Sequence, residues 1–228
     1  VVNVIDDKIP TAVPPNGVSG SAQTRYSSAD RGTVGAFALT GGQGPLVVHV
    51  QGMGRNAQDY RVGAGWAGGD RVPGSYSSGE TGSLGLSWMG SQGYLGLAYT
   101  RQTARYGLPG HSHADCHPHG DTLHCHGHDD ADDDGGHDHG DEHGVIPRVA
   151  MRSNRWDLRG AWLHPVAGIE AVRVSASQTR YGHEELEGSE VATQFRNRAH
   201  DARLEVQHAP IAGLKGVVGM QAGQRRFS

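Results

Sequence analysis

Ten of the chain's fifteen histidines fall between His111 and His143, in HSHADCHPHGDTLHCHGHDDADDDGGHDHGDEH, together with both cysteines and ten carboxylates but no lysine or arginine. Neutral imidazole suits zinc, copper and nickel, and carboxylate oxygens can complete a zinc shell. The histidines come as His-x-His pairs: His111/His113, His117/His119, His124/His126, His126/His128 and His137/His139, with His143 closing the set. Residues two apart in an extended segment lie on the same side, so each pair can chelate. Two pairs supply the four ligands of a tetrahedral site, and Asp115 or Asp121 can add a carboxylate beside one pair. Many such combinations are nearly equivalent, so the spacing specifies several exchanging sites rather than one rigid cage. That suits capture and hand-over of Zn²⁺, with other divalent metals open. Protonated imidazole cannot ligate, so binding should fail below about pH 6. The bland alternative is a solvated loop with incidental metal affinity. A purification tag would be terminal and homopolymeric.

Cys116 and Cys125 could be zinc thiolates or a disulfide. Thiols oxidise outside the cell, and a bridge across this segment would stabilise by about 2–3 kcal/mol in the chain-entropy model. The disulfide is favoured, as a clasp presenting His117, His119 and His124. The stretch DDADDDGGHDHGDE adds a negative field that draws cations over a Debye length of about 8 Å.

With ten acids in this insert, the rest of the chain carries 20 basic against 14 acidic residues. The positive charge is scattered and forms no basic stripe, so no nucleic-acid partner is expected. His49, His164, His183, His200 and His208 are single and read as turn or inward-facing residues. Glu184, Glu185, Glu187 and Glu190 beside His183 read as a charged loop, with a second capture patch as the alternative. No Ser/His/Asp order, His-Glu-x-x-His helix or phosphate-cradling glycine loop appears, so nothing supports an enzyme.

The elements that must hold this insert are strands. Only 36% of residues are apolar, against 36 glycines and 3 phenylalanines, too little to fill a compact core of this length. Apolar residues recur at every second position, the strand period: Leu84, Leu86 and Trp88; Leu95, Leu97 and Tyr99; Trp156, Leu158 and Trp162; Val172 and Val174; Leu204 and Val206; Val218 and Met220. Nine strands are expected, roughly 19–27, 33–41, 46–60, 82–90, 94–106, 148–163, 169–181, 193–208 and 214–228. Short turns at 41–44, 90–93, 164–168 and 209–213 alternate with longer connections near 61–82, 107–147 and 182–192. Short turns at one end and long loops at the other are the mark of an outer-membrane β-barrel, whose apolar band faces hydrocarbon and whose closure pairs every backbone group. A soluble antiparallel sheet with one wet face gives the same alternation. Trp88, Trp156, Trp162, Tyr94 and Tyr99 are expected near the interfaces.

No apolar run approaches the length of a transmembrane helix, and VVNVIDDKIP lacks the features of a signal peptide. Nine is odd, whereas single-chain bacterial barrels have even strand numbers. The chain therefore reads as a fragment, with residues 1–15 ending one domain and residues 16–228 forming the first part of a barrel.

Three stretches resemble TonB-dependent outer-membrane receptors, zinc-receptor branch. VVNVIDDKIP is similar to the last plug strand running into the barrel. TRYSSADRGTVGAFALTGGQGPLVVHVQGMGRNAQDYRV is similar to the first barrel strands. RYGLPGHSHADCHPH resembles the strand exit and His-rich extracellular loop of the zinc receptors. The resemblance implies a 22-stranded barrel closed by a plug in the bacterial outer membrane, in contact with its lipid. It further implies zinc uptake energised by a TonB complex that engages the receptor through an N-terminal part absent here.

Overall fold

The computed structural model describes residues 6–64, 69–109, 116–119, 122–125 and 146–228. Its strands are β1 (Val18–Ser27), β2 (Gly32–Gln43), β3 (Leu46–Ala57), β4 (Ser77–Gly90), β5 (Gly93–Gly107), β6 (Cys116–His119), β7 (Thr122–Cys125), β8 (Arg148–Leu163), β9 (Ile169–Glu187), β10 (Glu190–Ile211) and β11 (Leu214–Phe227). Nine of them form one antiparallel sheet in the order β1-β2-β3-β4-β5-β8-β9-β10-β11, and β6 and β7 form a separate hairpin. The all-β expectation and the nine main strands hold, most ends within a few residues.

One loop is corrected. The connection expected at 182–192 is strand, because β9 continues to Glu187, β10 starts at Glu190, and only residues 188–189 turn. The charges of HEELEGSE look like loop chemistry, but they alternate between the two faces, and pairing continues through a register shift at Val191/Thr193 as far as Glu187 with Glu190. Gly188 takes the left-handed backbone, φ 60°, that so tight a reversal needs. Long connections remain at 58–76 and 108–147, whereas 28–31 is short.

The two faces of the sheet are opposite in character. Leu84, Leu86 and Trp88 of β4 are 56%, 48% and 59% exposed, while Ser83 and Ser87, which alternate with them, are 6% and 0% exposed. Across the sheet Leu97, Leu158, Ala176, Ala202 and Ala222 are successive register partners, and so are Leu95, Gly160, Val174, Leu204 and Met220. This face is apolar and open. The other face carries Thr40, His49, Gln51, Thr100, Arg155, Asp157, Asp201, Arg203 and Glu205, following the two-residue alternation of each strand. Trp88 and Trp162 stand beside the short turns. Tyr99 and Trp156 are a pair farther up the apolar face, rings 4.8 Å apart, with the Tyr99 hydroxyl donating to Asn154 at 2.8 Å.

Part of the polar face is covered by the chain's own beginning. Ile9 is 2% exposed, the Arg159 guanidinium lies 3.8 Å from the Asp6 carboxylate, and Arg159 also donates to the Asp6 carbonyl at 3.4 Å. Two glycines permit this approach, since a Cβ at Gly85 would strike the Lys8 carbonyl and one at Gly96 would strike Ile9 and Ser87.

The strands are staggered and unequal. Leu46, at the start of β3, is in one register row with Trp88, Leu95, Gly160, Val174 and Leu204, yet β10 runs seven residues beyond Leu204 to Ile211. Seven residues of descent over five strand gaps makes the strands lean by roughly 45° to the line of the turns, at ~3.4 Å per residue and ~4.8 Å per gap. From β3 to β10 the lengths climb through 12, 14, 15, 16, 19 and 22 residues.

Candidate metal-capture segment

The histidine-rich stretch leaves the sheet after Gly107 and returns at Arg148, which are register partners at the end away from the short turns. Its base is clamped. Leu108 N–H donates to the Pro147 carbonyl at 2.9 Å, Gly107 N–H donates to the Tyr76 carbonyl at 3.3 Å, and Pro147 is fully buried. Ile146 packs on Gly74, where a side chain would collide with it. The neighbouring 58–76 connection is fixed by Tyr76 N–H on the Asp59 carboxylate at 2.9 Å and Tyr60 N–H on the Ser75 hydroxyl at 3.0 Å.

Within the stretch, the β6–β7 ladder pairs Cys116 with Cys125, His117 with His124, Pro118 with Leu123 and His119 with Thr122. Of the sequence-derived ligands, His117, His119 and His124 fall within this backbone ladder. His111, His113, Asp115, Asp121, His126, His128, His137, His139 and His143 lie outside the described residues. Among the described residues, no three His, Cys, Asp or Glu side chains converge on a metal position.

Beyond the segment's base the polar face holds a cavity of about 710 Å³ reaching from Arg55 on β3 to Phe195 on β10, with Met151 and His183 between. His183 stacks on Phe195, centroids 5.3 Å apart and planes at 25°, and its Nδ1 is 3.1 Å from the Tyr181 hydroxyl. Phe195 in turn meets Phe227 at 5.9 Å. Reading residues 182–192 as a loop concealed this cluster. The alternation of Tyr181 and His183 opposite Phe195 was the signal. Glu184 is on the face opposite His183 and accepts from Gln194 at 2.6 Å.

The other single histidines separate. His49 is 4% exposed between the Thr40 hydroxyl, 2.8 Å from Nδ1, and the Gln51 amide oxygen, 3.2 Å from Nε2. His164 sits in a turn with φ 50°. His208 Nδ1 donates to the Ala209 carbonyl at 2.7 Å, at the turn end of its strand. His200 is a correction, because it lies on the apolar side, in register with Gln178 and Gln224.

Charge is paired on the polar face: Arg155 with Asp157 at 2.7 Å, and Arg203 with Glu205 at 2.6 Å. In the β1–β2 turn, the Ser27 hydroxyl holds the Asp30 carboxyl below its usual range, helped by Gly32 N–H at 3.0 Å and by Arg55. Compared with known protein families, the chain matches no family model.

Proposed function

We propose that the chain is part of the wall of a bacterial outer-membrane β-barrel, and that its histidine-rich segment captures zinc outside the cell and passes it to the barrel lumen. The observation that carries the reading is the inverted burial, with Leu84, Leu86 and Trp88 open while Ser83 and Ser87 are covered. A soluble sheet with one wet face would cover the leucines; hydrocarbon covers them without further protein. The lean of the strands supports closure, since transmembrane barrel strands tilt by about 35–45°. No helix among the described residues is long and apolar enough to cross a membrane, which leaves strands free to do so.

On this reading the short turns are periplasmic and residues 108–147 are extracellular. The segment contains the hairpin that pairs His117 with His124, and a lumen-facing cavity with His183 lies beyond its base. The TonB-dependent zinc-receptor resemblance belongs to the same reading, with energy reaching the barrel through a TonB complex. The second reading, an adhesin-like surface β protein that buffers metal without transport, draws on the same segment but leaves the exposed apolar face without a partner.

Deletion of residues 111–143 from the full-length protein tests the function. Whole-cell zinc accumulation at limiting zinc should fall, with folded protein still in the outer membrane. Unchanged accumulation would remove the capture role, and a loss of copper or nickel uptake instead would reassign the cargo.

A further inference from the structure

On the apolar side, beyond the hydrophobic rows, the structure repeats one residue on five adjacent strands. Arg105 is twelve residues from the turn end of β5 at Gly93, and Arg152 is eleven from Leu163 of β8. Arg180 is eleven from Ile169 of β9, Arg198 thirteen from Ile211 of β10, and Arg226 twelve from Leu214 of β11. With strands leaning by roughly 45°, these positions stand about 25–31 Å above the turns at ~3.4 Å per residue. That is just past the top of an apolar band ≈ 25 Å tall.

Arg198 is the register partner of both Arg180 and Arg226, so three guanidinium groups occupy neighbouring strands about 4.5–5.5 Å apart at Cα. Directly opposed like charges destabilise a sheet unless an anion lies between them. The protein supplies none from the adjoining rows: the same-side positions two residues above and below include Gln178, Gly182, Arg196, His200 and Gln224. No salt bridge among the described residues involves these three arginines, whereas Arg155 and Arg203 on the opposite face each have one. Below them is a shallow groove of about 520 Å³, floored by Ala176, Ala202 and Ala222 and walled by Trp156 and Leu158.

We propose that Arg180, Arg198 and Arg226 bind the phosphate of an anionic lipid whose acyl chain lies in this groove. The inference rests on the membrane reading above. Guanidinium forks match phosphate oxygens, and the groove extends from the cations toward the hydrocarbon side, as one amphiphile requires.

The test reconstitutes the full-length protein into bilayers of phosphatidylcholine with a minority of phosphatidylglycerol, extracts it, and weighs the retained lipid by native mass spectrometry. Phosphatidylglycerol should be enriched over its bulk share. R198Q should lower the enrichment about fivefold, and the R180Q/R198Q/R226Q variant should abolish it. A202L, which fills the groove without touching charge, should also release the lipid. R173Q removes a charge from the opposite face and should change nothing; an equal loss there reduces the effect to net charge and overturns the proposal. So does displacement by inorganic phosphate as effective as by short-chain phosphatidylglycerol. Insertion without enrichment overturns the lipid site alone, whereas failure of the wild type to insert overturns the membrane reading itself. Heat-shifted mobility on gels shows that each variant is folded.

Discussion

Cys116 is the register partner of Cys125 in the β6–β7 hairpin. Opposed residues in an antiparallel pair have Cα atoms about 4.5–5.5 Å apart, within the span a disulfide requires. We predict that the two form a disulfide under oxidising conditions. Reduction should raise the mass by two hydrogens per chain, and C116S should remove that difference. An unchanged mass would assign the cysteines to thiolate chemistry.

Leu204 and Gln207 test which face meets hydrocarbon. Leu204 is on the open apolar side of β10 and Gln207 on the polar side, where it donates to Glu170 at 3.0 Å. Leu204→Arg should destabilise by about 2–4 kcal/mol near the bilayer middle, whereas a lumen substitution is tolerated. Urea unfolding from liposomes should separate Leu204→Arg from Gln207→Arg; equal costs would argue for a soluble sheet.

Gly85→Ala should dislodge the segment around Lys8 without unfolding the sheet, because the new methyl group meets the Lys8 carbonyl. Trypsin cleavage after Lys8 should quicken several-fold while strand circular dichroism stays constant. Protection as in the wild type would mean that the segment is anchored elsewhere.

Asp30 predicts a local pH effect. Its carboxyl is held below the usual range, first by Ser27, so its stabilising contribution is present above the unfolded aspartate pKa and is lost as pH falls through the lower folded value. Amide exchange of Gly32, whose N–H donates to Asp30, should accelerate over that acid window. Asp30→Asn should remove the pH dependence.

Zinc capture should titrate with imidazole. Binding to residues 111–143 should be intact near pH 7 and largely lost near pH 5, following an ordinary histidine pKa of about 6.5. Calorimetry across this range checks it, and binding that survives acid would point to the carboxylates.

The strands were legible because one face is apolar and the other carries whole charges, so Leu84–Leu86–Trp88 and Val172–Val174 declare period two without any neighbour. The extension of β9 to Glu187 was not, because beyond the apolar rows both faces become polar and the alternation loses contrast. The burial of His49 between Thr40 and Gln51 was also hidden, since the residues crossing that face, 6–15, are distant in sequence. The arginines level on five strands are invisible to composition, which counts 20 basic residues as scattered; only register and stagger align them. For the histidine-rich segment, residue types suggested the chemistry, and the ladder added the pairing of His117 with His124.

The climb in strand length from 12 residues at β3 to 22 at β10 makes the rim a ramp. At a lean of roughly 45°, the high flank rises about 20–25 Å above the low one, from ~3.4 Å per residue. The histidine-rich segment is rooted partway up, between β5 and β8. On the barrel reading proposed above, the open end would be lopsided, with the β9–β10 flank standing over one side of the Gly107 and Arg148 positions and the β1–β3 flank leaving the other side low.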